Sequence, residues 1–349
     1  MRQGVGGGQG QMELRPVASD ERDAFDAFVG AHLHGDPLQG WGFAELRAQG
    51  GARAHRFYLV DQGRLVGSIS LIARRAGRLG LLLQAPRGPV LDPARAPLWA
   101  ALRRELRRTF PDAFALIASP RLEVTARRPP GALPRGTAGG SLTTLPRQAV
   151  EVPLSGDPER DLARVHRRCR VQIRRAAAHG IQVRPAAPEE QGLWLGMLRR
   201  EGRGAALWAA PADLAELAQE LAHWGQAQAL LAERRGQVQA ATLVLSLGRH
   251  AVCRRLGGPP DGRTRAAEYA AQWAALAWAE RQGAERCDIT GFLRPADETT
   301  AALARRWGAI ERRYRPQVEL PLRWLPYVGY RCGLHVAPRV PWPAAVAPR

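Results

Sequence analysis

The sequence predicts an α+β protein made of two tandem copies of one unit, each a mixed, twisted sheet flanked by helices. Around Gly63 the chain reads RFYLVDQGRLVGSISL, and around Gly236 it reads ALLAERRGQVQAATLVL, so two apolar runs flank a polar turn in both places. Each pattern is followed by a helical segment with the letters WAAL, starting at Trp99 and at Trp273. The glycines are 173 residues apart and the tryptophans 174. Two markers at nearly one offset indicate a duplication, which creates a cleft between the copies where a large substrate can bind.

The first copy is predicted over residues 12–148, after a flexible leader at residues 1–11. Gly35-Asp36-Pro37 ends its first helix, and Asp61-Gln62-Gly63 forms the turn of a strand pair. Residues 121–148 are rich in Arg, Pro, Gly and Thr and are predicted to form a loop. In chain order the predicted elements are helices over 20–33 and 38–47, strands over 56–61, 64–73 and 79–83, a helix over 96–109 and a strand over 114–118.

The second copy is predicted over residues 149–319. Residues 320–336 are expected to pack back on the first copy, and residues 337–349 form a Pro-rich tail. Gly180 is placed to cap the first helix of this copy. In chain order the predicted elements are a strand over 149–153, helices over 161–179 and 212–224, strands over 228–233, 238–246 and 250–256, a helix over 266–281 and a strand over 285–290.

The order of elements within each copy suggests a fold type. A hairpin, a further strand, a helix and another strand give a mixed sheet with helices packed on it. This order is compatible with an acyltransferase of the GCN5-related N-acetyltransferase (GNAT) type. We therefore expect two tandem GNAT-like domains.

The charge balance predicts an anionic partner. The chain of 349 residues has 51 basic against 32 acidic side chains, a formal charge of +19, and all of the basic ones are arginine. The absence of lysine excludes Schiff-base chemistry, a lysine general base and a P-loop lysine. Phosphate or carboxylate groups must therefore be recognised by planar guanidinium groups. The partners that fit are nucleic acid, anionic lipid headgroups and phosphorylated substrates, and the alternative is a generally basic soluble protein.

Other compositional features point to the cytoplasm. The opening segment MRQGVGGGQGQ has no apolar core of the signal-peptide kind, and no apolar run reaches the length of a membrane span. The four cysteines lack CxxC spacing, which argues against a disulfide framework or a zinc ribbon. Only His32 and His34 lie close together among the histidines, and no metal site is expected.

The segment DLARVHRRCRVQIRRAAAHGI is the sharpest local pattern. Its apolar residues share one face of a helix, and they are Leu162, Val165, Cys169, Ile173 and Ala176. Arginines lie on both sides of that face, with Arg167, Arg170 and Arg174 on one flank and Arg164, Arg168 and Arg175 on the other. Because like charges four residues apart repel, the pattern indicates either a phosphate-binding surface at the cleft or a solvated basic face.

Four motifs in order resemble the FemABX family of peptidoglycan-branching aminoacyltransferases. HRRCRVQIRRAAAHGIQV is similar to the family's K-T-R-Y-N-I-R-L-A-x-x-x-G-V, with Val171 and Gln172 departing from the usual Tyr-Asn. LQGWGFAELR at residues 38–47 resembles L-Q-S-W-x-W-x-E-L-K, and PRGPV at 86–90 matches P-R-G-P-V. QWAALAWAERQGAERCDITG at 272–291 resembles Q-W-x-x-I-x-W-A-x-x-x-G-x-x-x-Y-D-x-x-G. Together the motifs span roughly residues 35–310, and the short second copy resembles the compact form without a coiled-coil insertion.

The resemblance implies a reaction and its partners. Family members transfer an amino acid from aminoacyl-tRNA to the amine of a peptidoglycan precursor stem peptide, which is carried by lipid II or by UDP-MurNAc. No acetyl-CoA and no other cofactor is expected, because aminoacyl-tRNA is the donor. A cytoplasmic enzyme, with peripheral contact to the inner face of the cytoplasmic membrane, fits these substrates.

The resemblance also implies site residues. Arg47 and Arg170, supported by Arg174, would hold the phosphates of the precursor, and Trp41 and Arg87 lie in the matching motifs. Where the family's F-K-x-G-F-G motif has a lysine near the acyl carbonyl, this chain has Ala304, and Arg305 or Arg306 would substitute for it. Asp288 ends a strand, where it would accept a proton or orient a loop. Arg263 and Arg265, before helix 266–281, are candidates for contact with RNA phosphates.

Two other function classes stay open on the sequence. The first is a GNAT-type N-acyltransferase that uses acyl-CoA on a cell-envelope or polysaccharide substrate. Such enzymes cradle pyrophosphate in a [QR]-x-x-G-x-[GA] loop, where this chain reads RRLGGPP at residues 254–260, and two prolines remove N–H donors there. The second is a non-enzymatic protein that binds RNA or a membrane surface.

Overall fold

A computed structural model describes most of the chain. The described residues are 12–48, 51–92, 97–124, 138–139, 145, 147–201, 221–223, 225–257, 264–290, 300–315 and 317–336. They form two mixed sheets with helices packed on them, so the predicted α+β class with two mixed sheets is confirmed.

The first seven strands form the first sheet and the next seven form the second, and the last strand, β15, belongs to the first sheet again. In order they are β1 Met12–Pro16, β2 Arg53–Asp61, β3 Arg64–Arg75, β4 Leu81–Ala85, β5 Val90–Leu91, β6 Ala113–Ala118, β7 Ala138–Gly139, β8 Gln148–Pro153, β9 Gln182–Pro185, β10 Ala227–Arg234, β11 Gln237–Leu247, β12 His250–Gly257, β13 Arg286–Asp288, β14 Ile310–Arg313 and β15 Val318–Pro321. The first sheet has the order β1-β2-β3-β4-β6-β15-β7, with β5 paired to β3, and the second has the order β14-β8-β13-β12-β11-β10-β9.

The helices cover both sheets. They are Arg22–Ala31, Trp41–Ala48, Pro97–Thr109, Pro158–Arg164, Arg167–Ala178, Gln191–Glu201, Arg265–Arg281, Thr300–Trp307 and Trp324–Val336. Within the described part of the chain, none of them is long and apolar enough to cross a membrane.

The duplication is visible in the details of the two hairpins. The turn between β2 and β3 has positive φ at Gln62 and Gly63 (51° and 73°), and the turn between β10 and β11 has it at Arg235 and Gly236 (52° and 74°). Positive φ at both central residues is typical of a type I′ turn, whose twist matches that of the strands. The pairing register also shifts at equivalent places, after Leu59 in one hairpin and after Ala232 in the other.

Each sheet continues from its hairpin in the same way. In the first, β4 runs antiparallel to β3, and helix Pro97–Thr109 leads to β6, which is parallel to β4. In the second, β12 runs antiparallel to β11, and helix Arg265–Arg281 leads to β13, which is parallel to β12. A helix between two parallel strands is the connection that parallel pairing requires.

The two sheets share an apolar core where they meet. Leu38, Phe43 and Ile72 from the first part of the chain lie in one buried cluster with Trp194 and Leu243 from the second. The chain also returns to the first sheet at its end, because β15 pairs with β6 and helix Trp324–Val336 packs on β6.

The predicted helix over 161–179 is two helices. Val165 and His166 are extended (ψ 136° and 141°) and separate Pro158–Arg164 from Arg167–Ala178. The His166 side chain accepts a hydrogen bond from the Arg168 backbone N–H and so caps the second helix. Arg164 therefore lies on a different helix from Arg168 and Arg175, although the sequence predicted that all three share one flank of a single helix. The predicted helix over 212–224 and the predicted loop over 121–148 fall mostly outside the described residues.

Candidate functional site

Three helices on one face of the second sheet enclose a pocket of about 910 Å³, which we call the arginine pocket. They are helix Arg167–Ala178, the start of helix Arg265–Arg281 and helix Thr300–Trp307. Six arginines are among its described lining residues, and they are Arg167, Arg168, Arg175, Arg265, Arg305 and Arg306. No carboxylate is found among the described residues that line it.

The local fold fixes the last two of these arginines. In helix Thr300–Trp307, Trp307 is buried and its ring stacks on Tyr269 at 5.5 Å. Gly308 has a φ of 61°, and a Cβ there would lie 2.4 Å from the Arg164 carbonyl oxygen, so only glycine allows this close approach. The His166 N–H donates to the Arg306 carbonyl oxygen at 3.0 Å. These contacts place Arg305 and Arg306 at the start of the basic helix.

Three of the arginines lie at helix starts, where positive charge is unfavourable. Arg167 and Arg168 are the first two residues of one helix, and Arg265 is the first residue of another. The helix dipole is positive at this end and favours anions. Within the described part of the chain, no ion pair with a carboxylate relieves Arg167, Arg168, Arg175, Arg265 or Arg305. The arrangement is thus electrostatically suited to a ligand with several negative charges.

Tyr269 adds a neutral hydrogen-bond donor to the arginine pocket. Burial raises the pKa of its phenol to about 12, with further effects from Cys169 and Arg306. The hydroxyl therefore stays protonated at neutral pH and can donate to an oxygen that becomes negative during a reaction.

A second group of charged residues lies where the two sheets meet, and we call it the junction cluster: Asp36, Arg87, Arg121, Glu151, Asp288 and Tyr314. Arg121 donates to the Gly35 carbonyl oxygen at 3.1 Å, to the Tyr314 hydroxyl at 3.2 Å and to the Glu151 carboxylate. The Tyr314 hydroxyl in turn donates to Glu151. Burial opposes ionisation of Glu151, but the Arg121 guanidinium and the Tyr314 hydroxyl outweigh it and lower the pKa. Glu151 is therefore a carboxylate at neutral pH.

The other two carboxyl groups of the junction cluster have raised pKa values, in contrast to Glu151. Asp36 and Asp288 are both fully enclosed, and burial raises the pKa of each. The Arg87 Nε lies 3.9 Å from Asp36 Oδ2, and its guanidinium lies 5.0 Å from the centre of the Tyr314 ring. Asp288 accepts hydrogen bonds from the Thr290 N–H and hydroxyl. Arg121 and, after it, Arg87 partly offset the effect of burial on the pKa of Asp36, and Arg87 does the same for Asp288.

The arginine pocket and the junction cluster face opposite sides of the second sheet. In β13, Cys287 packs into the core beneath the helices with Cys169 and Tyr269, whereas its neighbour Asp288 faces the first sheet. The parallel pairing of β12 and β13 covers three residue pairs and ends at Val252 and Asp288. β12 then continues to Gly257, and β11 is its only partner among the described strands there. The ladder therefore ends at Asp288 of the junction cluster, and β12 continues beyond this point.

The structure divides the predicted site residues among several places. Arg265, Arg305 and Arg306 come together in the arginine pocket, and Arg87 and Asp288 come together in the junction cluster. Arg170 and Arg174 are not among the pocket residues, and Arg170 Nη1 donates to the Ala163 carbonyl oxygen at 2.7 Å. Arg263 lies outside the described residues.

Trp41 and Arg47 lie on helix Trp41–Ala48, and both are buried. The Arg56 guanidinium lies 3.8 Å from the centre of the Trp41 ring and donates to the Trp41 carbonyl oxygen at 2.8 Å. Trp41 is thus held from one side by a cation–π contact. The roles of these two residues in substrate binding stay predictions.

Sequence reasoning missed part of both groups. Tyr269 is four residues after Arg265 and hence on the same face of the helix, a spacing that would have found it. Arg121, Glu151 and Tyr314 come from three distant segments, and no local pattern joins them. Ala304, at the position of the family's lysine, is buried in the core, whereas its neighbours Arg305 and Arg306 reach the arginine pocket. Within the described part of the chain, no group of three or more His, Cys, Asp or Glu side chains could hold a metal ion.

Comparison with solved structures shows the same architecture in other proteins. FemX matches with a TM-score of 0.77 at 16% identity, covering 92% of this chain and 99% of its own. A conserved protein of unknown function from Bacteroides thetaiotaomicron matches with a TM-score of 0.53 at 10% identity, covering 88% and 97%. L-PGS from Bacillus licheniformis matches with 0.51 at 12% identity, covering 93% and 99%. Neither a family model nor a curated protein matches the sequence. The chain has the fold of FemX, and the FemABX-like architecture predicted from its motifs is confirmed.

Proposed function

We propose that the protein transfers an amino acid from aminoacyl-tRNA to the amine of a peptidoglycan precursor stem peptide. The observation that supports this most directly is the arginine pocket, in a chain with the fold of FemX. Six guanidinium groups around about 910 Å³, three of them at helix starts, suit a polyphosphate chain such as the end of a tRNA. A single small anion would not need so many cations.

The second sheet offers a route between the two substrates. The donor binds on the helix side in the arginine pocket, and the acceptor binds on the side that faces the first sheet. The β12–β13 ladder ends at Val252 and Asp288, and in this proposal the acyl group meets the amine just beyond that end. Trp41 and Arg47, on one helix, and Arg87 are the proposed contacts for the precursor on the side that faces the first sheet. Arg170 and Arg174 lie on the helix side, so their proposed contact with the precursor phosphates requires the precursor to reach around the end of the sheet. Arg263 and Arg265 are the proposed contacts for RNA.

The chemistry is aminolysis of an ester. The acceptor amine must first lose its proton, because its pKa lies near 10.4, and Asp288 is the proposed acceptor or the residue that orients the adjoining loop. Attack on the acyl carbonyl gives a tetrahedral oxyanion, which Arg305, Arg306 and the Tyr269 hydroxyl stabilise. Collapse of this intermediate breaks the ester C–O bond and leaves the amide, and the proton that the attacking nitrogen gives up protonates the departing ribose oxygen of the tRNA. No cofactor takes part in this proposal.

The test combines the purified chain with charged tRNA and either nucleotide-linked or lipid-linked muropeptide. Amino-acid incorporation that RNase treatment abolishes supports the proposal. Acetyl transfer from acetyl-CoA without RNA would instead favour an acyl-CoA-dependent enzyme, and incorporation that resists RNase would contradict the tRNA donor.

A pair of variants on one helix tests the role of the arginine pocket. Arg265→Gln removes a cation at the start of helix Arg265–Arg281, and Arg281→Gln removes an exposed one at its far end. We expect only Arg265→Gln to weaken tRNA binding and to reduce the slope of log affinity against log salt concentration by about one. Equal slopes for both variants would mean that RNA does not occupy the pocket.

A further inference from the structure

The helix Trp324–Val336 has a fixed inner face. Its Tyr327 is buried and donates a hydrogen bond to Glu319 at 2.7 Å, and the ring of Tyr330 lies 5.2 Å from that of Phe114 in β6. Arg331 pairs with the same Glu319 at 3.1 Å. The orientation of the helix on the first sheet is therefore set by specific contacts.

The outer face of this helix is apolar. Leu325 is 82% exposed and Trp324 is 62% exposed, more than any other large hydrophobic side chain in the described part of the chain. The exposed residues that follow are Gly329, Cys332 and Gly333. From Trp324 to Gly333, therefore, no exposed residue has a charge, although the outward face of a surface helix is ordinarily polar.

Basic groups border this face. Arg323 is exposed and immediately precedes Trp324. Its Nη1 would lie 3.8 Å from a Cβ on Gly80. Arg323 is therefore close to the turn that carries the exposed Arg78. The backbone of Asp112, an acidic residue, also adjoins Gly80. From Leu320 to Arg349 the sequence has no Asp or Glu, but it has Arg323, Arg331, Arg339 and Arg349, together with Trp342.

We propose that the helix Trp324–Val336 binds the surface of an anionic lipid bilayer. Its 13 residues are too few to cross a bilayer, which takes about 20, so the helix lies in the plane of the interface with its apolar face in the lipid. Tryptophan at the edge of this face and arginine beside it are the residues that favour the headgroup region. An RNA ligand would need cations on the face itself, and a second protein would not require the acid-free sequence around it.

The experiment is sedimentation of the full chain with vesicles of phosphatidylcholine, with and without about 30% phosphatidylglycerol, a fraction that gives a negative surface potential. We expect binding to the anionic vesicles that falls about tenfold in the double variant Trp324→Ser/Leu325→Ser, because two apolar side chains no longer enter the interface. Arg323→Gln should weaken it about fivefold, and only where the anionic lipid is present. The control is Leu65→Ser, which removes a 46%-exposed leucine from the first hairpin and should leave binding unchanged.

Two results would overturn the proposal. One is wild-type protein that does not sediment with anionic vesicles, or a double variant that binds as well as the wild type. The other is a wild type that dimerises in solution through this face, shown by a halved mass for the double variant in light scattering. The proposal does not rest on the proposed function, and transfer to a nucleotide-linked acceptor should be the same in all four proteins.

Discussion

The two copies of the unit share their backbone plan but differ at the place where a substrate could enter. In the first sheet the parallel strands β4 and β6 pair from Leu81 to Ala85, along the whole length of β4. In the second sheet the parallel pairing stops after three residue pairs, and β12 runs on without that partner. The last pair is Ala85 with Ala118 in one ladder and Val252 with Asp288 in the other. The first sheet is therefore closed and apolar at this point, whereas the second ends its ladder on a buried carboxyl group.

The helices that connect the parallel strands of the two sheets also differ, in the charge of their first residues. Helix Pro97–Thr109 begins without a basic residue and ends with Arg107 and Arg108, an arrangement that the helix dipole stabilises. Helix Arg265–Arg281 also has a favourable pattern overall, with Glu268 in its first turn and Arg281 in its last, but its first residue is an arginine that lines the arginine pocket. That one unfavourable charge is what distinguishes the helix of the second copy from that of the first. The place beside β6 is taken by β15 from the end of the chain, and the equivalent place beside β13 is taken by β8.

Replacement of the core tryptophan beside the arginine pocket should have the largest effect on stability. Trp307→Ala removes a fully buried ring that stacks on Tyr269, and Trp99→Ala removes a buried ring from the first core. Each should lower the free energy of unfolding by about 3–5 kcal/mol in urea denaturation. Where both variants are folded, only Trp307→Ala should lose tRNA binding, because only that ring fixes Arg305 and Arg306. Equal loss of tRNA binding would assign the RNA site to the whole molecule rather than to one copy.

Loss of the central carboxylate between the sheets should have the next largest effect. Glu151→Gln leaves the enclosed Arg121 guanidinium without its main counter-charge, at a cost of about 3 kcal/mol. The matched change Glu123→Gln removes a partly exposed partner of Arg312 and should cost less than about 1 kcal/mol. Because the folded-state pKa of Glu151 is lowered, its contribution is present above the unfolded value near 4.3 and disappears as pH falls through the folded value. A difference between Glu151→Gln and wild type that persists unchanged in acid would contradict the assignment.

The glycines of the two hairpin turns should respond alike, since the turns are duplicates. Gly63 and Gly236 have φ values of 73° and 74°. A Cβ added to either residue would have no neighbouring atom within 4 Å. Gly63→Ala and Gly236→Ala should therefore each cost about 1 kcal/mol through backbone strain alone. Gly308→Ala should cost more than either, because strain and a backbone clash with Arg164 combine there. Thermal denaturation of the three variants measures this order, and a large difference between the two hairpins would show that the copies are not equivalent.

The features that sequence reasoning found are those repeated at a fixed offset or written in one contiguous run. Gly63 and Gly236 and the two WAAL helices repeat at one offset and predicted two copies with mixed sheets. Four contiguous motifs, one of them in the basic helix, predicted the FemABX-like architecture. The break at Val165 and His166 was missed because the apolar spacing runs through it. It is stabilised by the His166 cap on Arg168 and by the hydrogen bond from the His166 backbone N–H to the Arg306 carbonyl oxygen. The junction cluster could not be predicted, because Asp36, Arg121 and Tyr314 meet only through the packing of the two sheets.

The smallest effect on stability is expected for a substitution of Asp288. Whether that substitution stabilises or destabilises the protein distinguishes the end of the second ladder from that of the first. Burial raises the pKa of this carboxyl group, so the folded chain holds a proton that the unfolded chain releases. Stability therefore falls as pH rises from the unfolded value near 3.9 through the folded one. Asp288→Asn keeps an acceptor for Thr290 and does not titrate, so it should match wild type in acid and be slightly more stable at neutral pH.

Ala118→Ser, at the equivalent point of the first ladder, should show no such pH dependence. Urea denaturation between pH 3 and 8 decides this, and an Asp288→Asn protein that is less stable than wild type at neutral pH would mean that the carboxylate is a structural anion held by Arg87. If it is instead more stable but inactive in transfer, the second copy keeps Asp288 for chemistry at a cost to folding.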